Sequence, residues 1–481
     1  MLSQDLKFGT SGLRGLSRIL DGEPAVRFSR AFANVMIERG FLPQGGAVLL
    51  GRDLRASSPS IARLCAEGLR LAGVEPVDCG EVPTPALAAH GMALGAPAIM
   101  VTGSHIPEDR NGLKFYRPDG EIDKADEKAI TEAEAALGPD PVSAGTAVPR
   151  RNGECLAQFT RRALGMLAPD ALAGMRVGVY QHSSAMRDVL AEVLSALGAD
   201  PVVFGRSDRF VPIDTEAMRP DDVQRCQDSA RDHGLDAIVS TDGDADRPLV
   251  ADETGEFLRG DLVGTIAAHM LSADCVVTPI TSNSGIEKCG LFARVARTRI
   301  GSPYVIEGMK KAVEEGASVV VGFEANGGVL LGTDAAIAGR RVAALPTRDA
   351  MAPILAVLYA ASRHPSRRIS SLVRDYAFGD AAAGRLENVA ASQSGVFLDQ
   401  LHESGAFRSR FLAGVMDVAS LDTTDGMRLT GEDGCVLHYR ASGNAPELRC
   451  YVEAPSHDRA AALLNDGLAR AREFLEELAS R

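Results

Sequence analysis

The sequence predicts an α/β protein: three similar mixed α/β domains plus a smaller α+β C-terminal domain around a central cleft. Three observations carry this prediction. Short apolar runs come in pairs, with helix-like stretches between the members of each pair. The second run of every pair ends in a polar, glycine-containing loop. From about Arg368 onward that rhythm stops.

The pairs follow in order. Residues 47–50 and 98–101 read as buried strands of a first domain, with a helix over 58–72 between them. Residues 177–180 and 237–239 form the second pair, around a helix over 185–197. Residues 275–278 and 319–321 form the third, with a helix over 304–315. Strand–helix alternation of this kind predicts parallel α/β units. The loops closing the pairs are Thr102-Gly103-Ser104-His105, Thr241-Asp242-Gly243-Asp244 and the glycine-containing segment 322–328. Open α/β sheets place their sites at such strand ends. In the last part, 436–439 and 448–453 read as two strands around a turn at 440–446, and a helix covers 457–479. Linkers are expected at 138–153, near 252–255 and at 363–368. The domains are therefore expected at 1–145, 146–254, 255–366 and 367–481.

Composition narrows the partners. The chain has 481 residues, 45% hydrophobic and 24% charged, an ordinary globular balance. Its net charge of −13 argues against nucleic acid and anionic membranes. An anionic substrate then requires a local basic cluster. The eight cysteines form no CxxC pair and have no His companion at zinc spacing, as expected of a reduced, cytoplasmic protein. Neither a signal peptide nor an apolar span of about 18 residues is legible.

The strongest chemical motif is Asp242-Gly243-Asp244-Ala245-Asp246-Arg247, directly after an apolar run. Three carboxylates at alternate positions of a small loop repel one another, and a hard cation removes the repulsion. Oxygen-only ligation suits Mg²⁺ or Ca²⁺ rather than zinc. A solvated acidic turn is the plainer alternative. A calcium loop of the helix–loop–helix type fits poorly, because Arg247 stands where that loop needs glycine. A phosphotransferase with Asp242 as nucleophile also remains open, although Asp246 stands where its motif wants Thr or Val.

Ser104 follows a strand, with His105 beside it and Lys114 downstream. A loop serine accepts a phosphoryl group if a base takes its proton and cations offset the developing charge. A turn with local hydrogen bonding is the alternative. The acidic loop favours the chemical reading, since phosphoryl transfer needs a divalent ion as well as a nucleophile.

Together these segments resemble the α-D-phosphohexomutase family, of the phosphomannomutase/phosphoglucomutase type, over the whole length and in the family's order. Residues 8–15 resemble its N-terminal signature and Gly51-Arg52-Asp53-Leu54-Arg55-Ala56-Ser57-Ser58 a second first-domain segment. Residues 102–107 resemble the phosphoserine loop, 242–247 the metal loop, 322–328 the sugar-binding loop and 440–446 the phosphate-binding loop.

The resemblance implies an isomerase that interconverts hexose 1-phosphate and 6-phosphate through phosphoserine and a hexose 1,6-bisphosphate. In it Ser104 is the phosphorylated serine, and Asp242, Asp244 and Asp246 hold Mg²⁺ together with Ser104. His105 and Lys114 lie beside the reacting groups, with Lys114 as candidate acid/base. Arg14 and Arg247 face the transferring phosphoryl group. Glu324 and Asn326 take sugar hydroxyls, and Arg440, Ser442, Gly443 and Asn444 grip the phosphate that is not reacting. Small sugar phosphates are the implied partners and hexose 1,6-bisphosphate the activator, for a monomer or weak homodimer. Ile106, Asn326 and Asn444-Ala445 depart from the commoner pattern, which bears on the choice of sugar. Ser11 resembles the mannose/glucose branch rather than the glucosamine branch. Phosphoglucosamine mutase, or a non-catalytic sugar-phosphate sensor on the same fold, is the alternative.

Overall fold

The computed structural model describes residues 6–9, 12–138, 149–376, 378–442 and 446–479. They gather into two units, 1–276 with 301–372, and 277–300 with 373–481.

The first unit begins with an eight-stranded sheet. It runs through Lys7–Gly9, Gly12–Leu16, Arg110–Arg117, Ala98–Val101, Ala47–Arg52, Glu75–Glu81 and Arg150–Arg151, with Gly120–Glu121 beside Arg110–Arg117. Arg150–Arg151 comes from the segment read as a linker and adds a parallel edge strand at Val77 and Asp78. The second sheet has the order Asp200–Phe204, Arg176–Tyr180, Ala237–Thr241, Pro248–Ala251. Further on, Val320–Phe323, Val329–Leu331 and Leu345–Asp349 pair in sequence. The central strands Ala98–Val101 and Ala237–Thr241 are buried at every position, as strands covered on both faces must be.

Helices cover these sheets. Glu23–Glu38 packs against Ser58–Leu71 over the first sheet. A Cβ at Gly68 would lie 2.1 Å from the Val26 carbonyl oxygen, so only glycine permits this approach of the two helices.

The first two strand–helix–strand pairs are parallel, as expected, and the sheets are mixed because an antiparallel strand follows each polar loop. Ala98–Val101 pairs parallel with Ala47–Arg52 but antiparallel with Arg110–Arg117. Ala237–Thr241 pairs parallel with Arg176–Tyr180 but antiparallel with Pro248–Ala251. Val320–Phe323 pairs antiparallel with Val329–Leu331. Each polar loop is thus a hairpin connection. Physics demands this, since a parallel crossover takes about a dozen residues or more and these loops are shorter.

The second strand of the second pair also runs on to Thr241, past the apolar stretch 237–239. Its polar end is satisfied internally. Ser240 Oγ donates to the Tyr180 carbonyl at 2.6 Å, and Thr241 Oγ1 lies 2.6 Å from Ser184 Oγ.

The second unit carries an antiparallel sheet in the order Asp380–Glu387, Glu447–Ala454, Val436–Ala441, Met427–Gly431, Val418–Asp422. Glu447–Ala454 alternates strictly between buried and partly exposed positions, the mark of a sheet with one covered face. Helix His457–Ala479 packs on that sheet, and Tyr439 Oη donates to the Gly467 carbonyl at 2.8 Å. Among the described residues no helix is long and apolar enough to cross a membrane.

Candidate active site

The hairpin between Ala237–Thr241 and Pro248–Ala251 is closed by its own backbone. Asp242 N–H donates to the Arg247 carbonyl at 3.1 Å, and Ala245 N–H to the Asp242 carbonyl at 3.2 Å. Asp242 Oδ1 accepts the Asp246 and Arg247 amides, each at 3.2 Å. Ala245 adopts φ 61°, which completes the turn. All three carboxylates are buried, and their oxygens lie within 4.8 Å of one another. Burial, and after it Asp244 and Asp246, push the Asp242 carboxyl well above its ordinary range. Asp244 Oδ1 and Asp246 Oδ1 are buried without a hydrogen-bond partner. Orphaned anionic oxygens are costly, and a hard divalent cation is the group that fits an all-oxygen set.

The serine loop faces this trio. Ser104 Oγ donates to Asp242 Oδ2 at 2.6 Å and lies 3.4 Å from His105 Nδ1. Ser104 adopts φ 53°, a conformation L side chains rarely take, and its surroundings fix it there. Its amide donates to Thr102 Oγ1 at 2.8 Å.

Arg55, only 1% exposed, donates to the carbonyls of Ser104 and Ile106 through Nη2, and to those of Pro107 and Arg110 through Nη1. Its Nε pairs with Asp53 Oδ2 at 3.1 Å, and Thr102 Oγ1 donates to the same oxygen at 2.7 Å. The guanidinium also stacks 3.8 Å from the centroid of Phe210. A Cβ at Gly103 would sit 2.7 Å from the guanidinium carbon, so glycine makes room for the clamp. The segment 51–58 therefore holds the serine loop, a role its sequence did not disclose.

Breaking the clamp gives a measurable prediction. Arg55→Met leaves Asp53 buried without its cation and should cost roughly 3–5 kcal/mol. Urea unfolding reads this, and a change below about 1 kcal/mol would contradict the clamp.

Cations complete the centre. Lys114, on strand Arg110–Arg117, donates to Asp244 Oδ2 and Asp246 Oδ2, both at 2.6 Å. Burial opposes its charge, but Asp244 and Asp246 outweigh burial and raise the ammonium above its ordinary range. Lys114 is thus held as a proton donor. Arg14 sits on Gly12–Leu16, where burial and then Arg247 bring it down to about 10. Burial, then Arg247 and Arg14, bring His105 down to about 2, so its imidazole is neutral. Arg247 Nε lies 3.8 Å from Asp246 Oδ1.

Two residues that sequence reasoning missed also touch the trio. Thr84 opens helix Thr84–Leu94. Its amide donates to the Asp244 carbonyl at 2.8 Å and its Oγ1 to Asp244 Oδ2. Arg348, on Leu345–Asp349, pairs with Asp246 Oδ2 at 3.0 Å and Glu324 Oε2 at 3.0 Å. Burial opposes its charge, yet Asp246 and Glu324 hold the guanidinium well above its ordinary range.

The sugar-loop candidates are buried in the same unit. Glu324 carries the Arg348 pair, and Asn326 Oδ1 accepts the Gly328 amide at 3.1 Å. In the second unit, Arg440 Nε pairs with Asp425 Oδ1 at 3.0 Å, and Ser442 N–H donates to the Glu447 carbonyl at 2.9 Å. The structure thus brings Arg14, Ser104, His105, Lys114, the three aspartates and Arg247 into one neighbourhood. Gly443 and Asn444, and Ser11 of the N-terminal signature, lie outside the described residues.

A buried serine against a carboxylate trio with cations around it, at the strand ends of mixed α/β sheets, is the equipment of a phosphoryl-transfer enzyme. The chain matches Phosphoglucomutase/phosphomannomutase alpha/beta/alpha domain I over residues 5–137, domain II over 158–255, domain III over 259–377 and the C-terminal domain over 398–469. It is 47% identical to a phosphomannomutase of Sinorhizobium fredii (strain NBRC 101917 / NGR234) over 96% of this chain and 98% of the relative. It is 41% identical to a phosphomannomutase of Salmonella muenchen, over 98% and 96%. A crystal structure of a phosphoglucomutase/phosphomannomutase family protein from Burkholderia thailandensis superimposes with a TM-score of 0.75 at 20% identity, covering 99% of this chain and 98% of that one. The chain belongs to the phosphoglucomutase/phosphomannomutase family, and its reaction class is that of a phosphohexomutase, an isomerase.

Proposed function

We propose that this phosphohexomutase acts on mannose and glucose phosphates, with mannose favoured, through phospho-Ser104 and a hexose 1,6-bisphosphate. The observation that carries the reading is the Ser104 hydroxyl 2.6 Å from Asp242 Oδ2, in a trio that keeps two buried oxygens without partners. In the forward half-reaction the Ser104 Oγ–P bond breaks and a bond forms from phosphorus to the sugar hydroxyl oxygen. The hydroxyl loses its proton and Ser104 Oγ gains one, and Lys114, held protonated beside Asp244 and Asp246, is the candidate acid/base that gives a proton to Ser104 Oγ and takes up the one the hydroxyl releases. The bisphosphate turns around, and its other phosphate returns to Ser104. Asp242, Asp244 and Asp246, with the Ser104 phosphate, would hold Mg²⁺, whose contribution is to offset charge on the phosphoryl oxygens.

Arg14 and Arg247 face the transferring group. Glu324 and Asn326 select sugar hydroxyls. Arg440, Ser442, Gly443 and Asn444 take the phosphate that is not reacting. The domains fall at 1–145, 146–254, 255–366 and 367–481. The eight cysteines are all free, which suits a reducing cytoplasm.

Glucose and mannose differ only at C2, so a carboxylate taking O3 and O4 does not separate them. The names of the two relatives above favour mannose. The test is a coupled assay of mannose, glucose and glucosamine 1-phosphates under equal bisphosphate priming. Activity on the first two is expected. A preference of tenfold or more for glucosamine 1-phosphate, about 1.4 kcal/mol in transition-state binding, would overturn the sugar assignment.

A further inference from the structure

We propose that Arg348 is a positioning residue that couples the metal loop to the sugar loop and sets the charge balance of the centre. This rests on the functional reading above. The guanidinium bridges two elements distant in sequence. Nε and Nη2 lie 3.1 and 3.0 Å from Asp246 Oδ2, and Nη1 lies 3.0 Å from Glu324 Oε2.

A second observation shows that this bridge has a built path. A Cβ at Gly328 would sit 2.7 Å from Arg348 Cδ and 2.9 Å from the Asp246 carbonyl oxygen. The sugar loop thus carries no side chain where the arginine stem crosses beneath the metal hairpin. The strand carrying Arg348 pairs with Val329–Leu331, which leaves that loop, so stem and loop share one sheet.

The consequence follows from the neighbouring charges. Around this bridge lie the buried carboxylates Asp242, Asp244, Asp246 and Glu324 and the cations Arg14, Lys114, Arg247 and Arg348, while buried Asp53 is paired with Arg55. By formal charge they balance. A divalent cation and a phosphoserine dianion preserve that balance when added together. Removing Arg348 leaves a net negative charge where the sugar phosphate must enter. It also releases Glu324 from the pair that fixes its Oε2. The same loss makes the trio more attractive to a cation. Arg348 therefore acts on phosphate and metal with opposite sign, which a residue that only supports the fold does not do.

Arg348→Gln and Arg348→Lys, made in the full chain, test this. Binding of MgCl₂ alone is followed by calorimetry, and turnover of mannose 1-phosphate is measured with bisphosphate priming. In Arg348→Gln, Mg²⁺ should bind about three- to tenfold tighter, while KM rises about tenfold or more and kcat changes less. Arg348→Lys keeps the charge but not the fork that spans both carboxylates, so Mg²⁺ affinity should stay within about threefold of the parent while KM still rises. Metal and substrate affinities weakening together, neither moving, or Lys tightening Mg²⁺ as Gln does would each overturn the proposal. If Arg348→Gln does not fold, Arg348→Gln combined with Glu324→Gln removes both charges at once. Mg²⁺ affinity within about threefold of the parent is then expected, and a larger change in either direction overturns the proposal. Turnover by the parent reports on the functional reading separately. The Mg²⁺ comparison reads Arg348 even if the parent is inactive on every sugar tried.

Discussion

Replacing Ser104 by Ala is expected to lower turnover by at least about 10³-fold, since removing a nucleophile abolishes the covalent route and leaves only binding contributions. The fold should stay intact. Ser104 Oγ donates to Asp242 Oδ2, but Asp242 keeps two backbone donors on Oδ1 from Asp246 and Arg247. The loop conformation is fixed by Thr102 and Arg55, which the substitution does not touch. Circular dichroism and a urea midpoint near the parent's, with turnover lost, is the expected pair of results. Full activity in the Ala variant would sink the assignment of Ser104.

The second large effect is expected at Asp244. Its Oδ2 is occupied by Lys114 Nζ and Thr84 Oγ1, while its buried Oδ1 has no partner. Asp244→Asn removes one negative charge from the trio and replaces one oxygen by a donor amide, which a cation cannot use. Mg²⁺ binding should weaken by about tenfold or more, roughly 1.4 kcal/mol. Turnover should fall by about 10²-fold or more at limiting Mg²⁺. Asp242→Asn and Asp246→Asn should act in the same direction. Unchanged Mg²⁺ dependence in all three variants would remove the trio from the metal role.

Much of this centre was legible because its chemistry is written in short contiguous stretches. The trio lies within five residues after a buried strand, and Ser104 follows another. Turn geometry converts such stretches directly into clusters, so alternate spacing sufficed to bring the carboxylates together. What was hidden is contact across long separations. Thr84 meets Asp244 from 160 positions away, and Arg348 meets Asp246 from 102. Neither carries a local pattern, because an arginine in a strand reads the same whether it faces water or a buried carboxylate.

The role of 51–58 was hidden for the same reason. Resemblance marked the segment, but only packing shows that Arg55 holds the carbonyls of a loop some 50 residues on. The parallel pairs were legible, but the antiparallel strand after each polar loop was not placed, because apolar run and helix alternate alike in parallel and mixed sheets. The shortness of the loop 242–247 was the available signal, being too short to cross a sheet. The sugar-loop residues were found by resemblance, yet the pairing of Glu324 with Arg348 was not, since the partner lies on a strand further along the chain.

The phosphoserine shuttle is tested most directly by locating the phosphate. The full chain is incubated with Mg²⁺ and hexose 1,6-bisphosphate labelled in its phosphates, and digested peptides are read by mass spectrometry. The account predicts label on the peptide containing Ser104, stable to hydroxylamine and chased off by unlabelled hexose 1-phosphate. Hydroxylamine-labile label on Asp242, or no transferred label in a chain that still turns over hexose 1-phosphate, would contradict it.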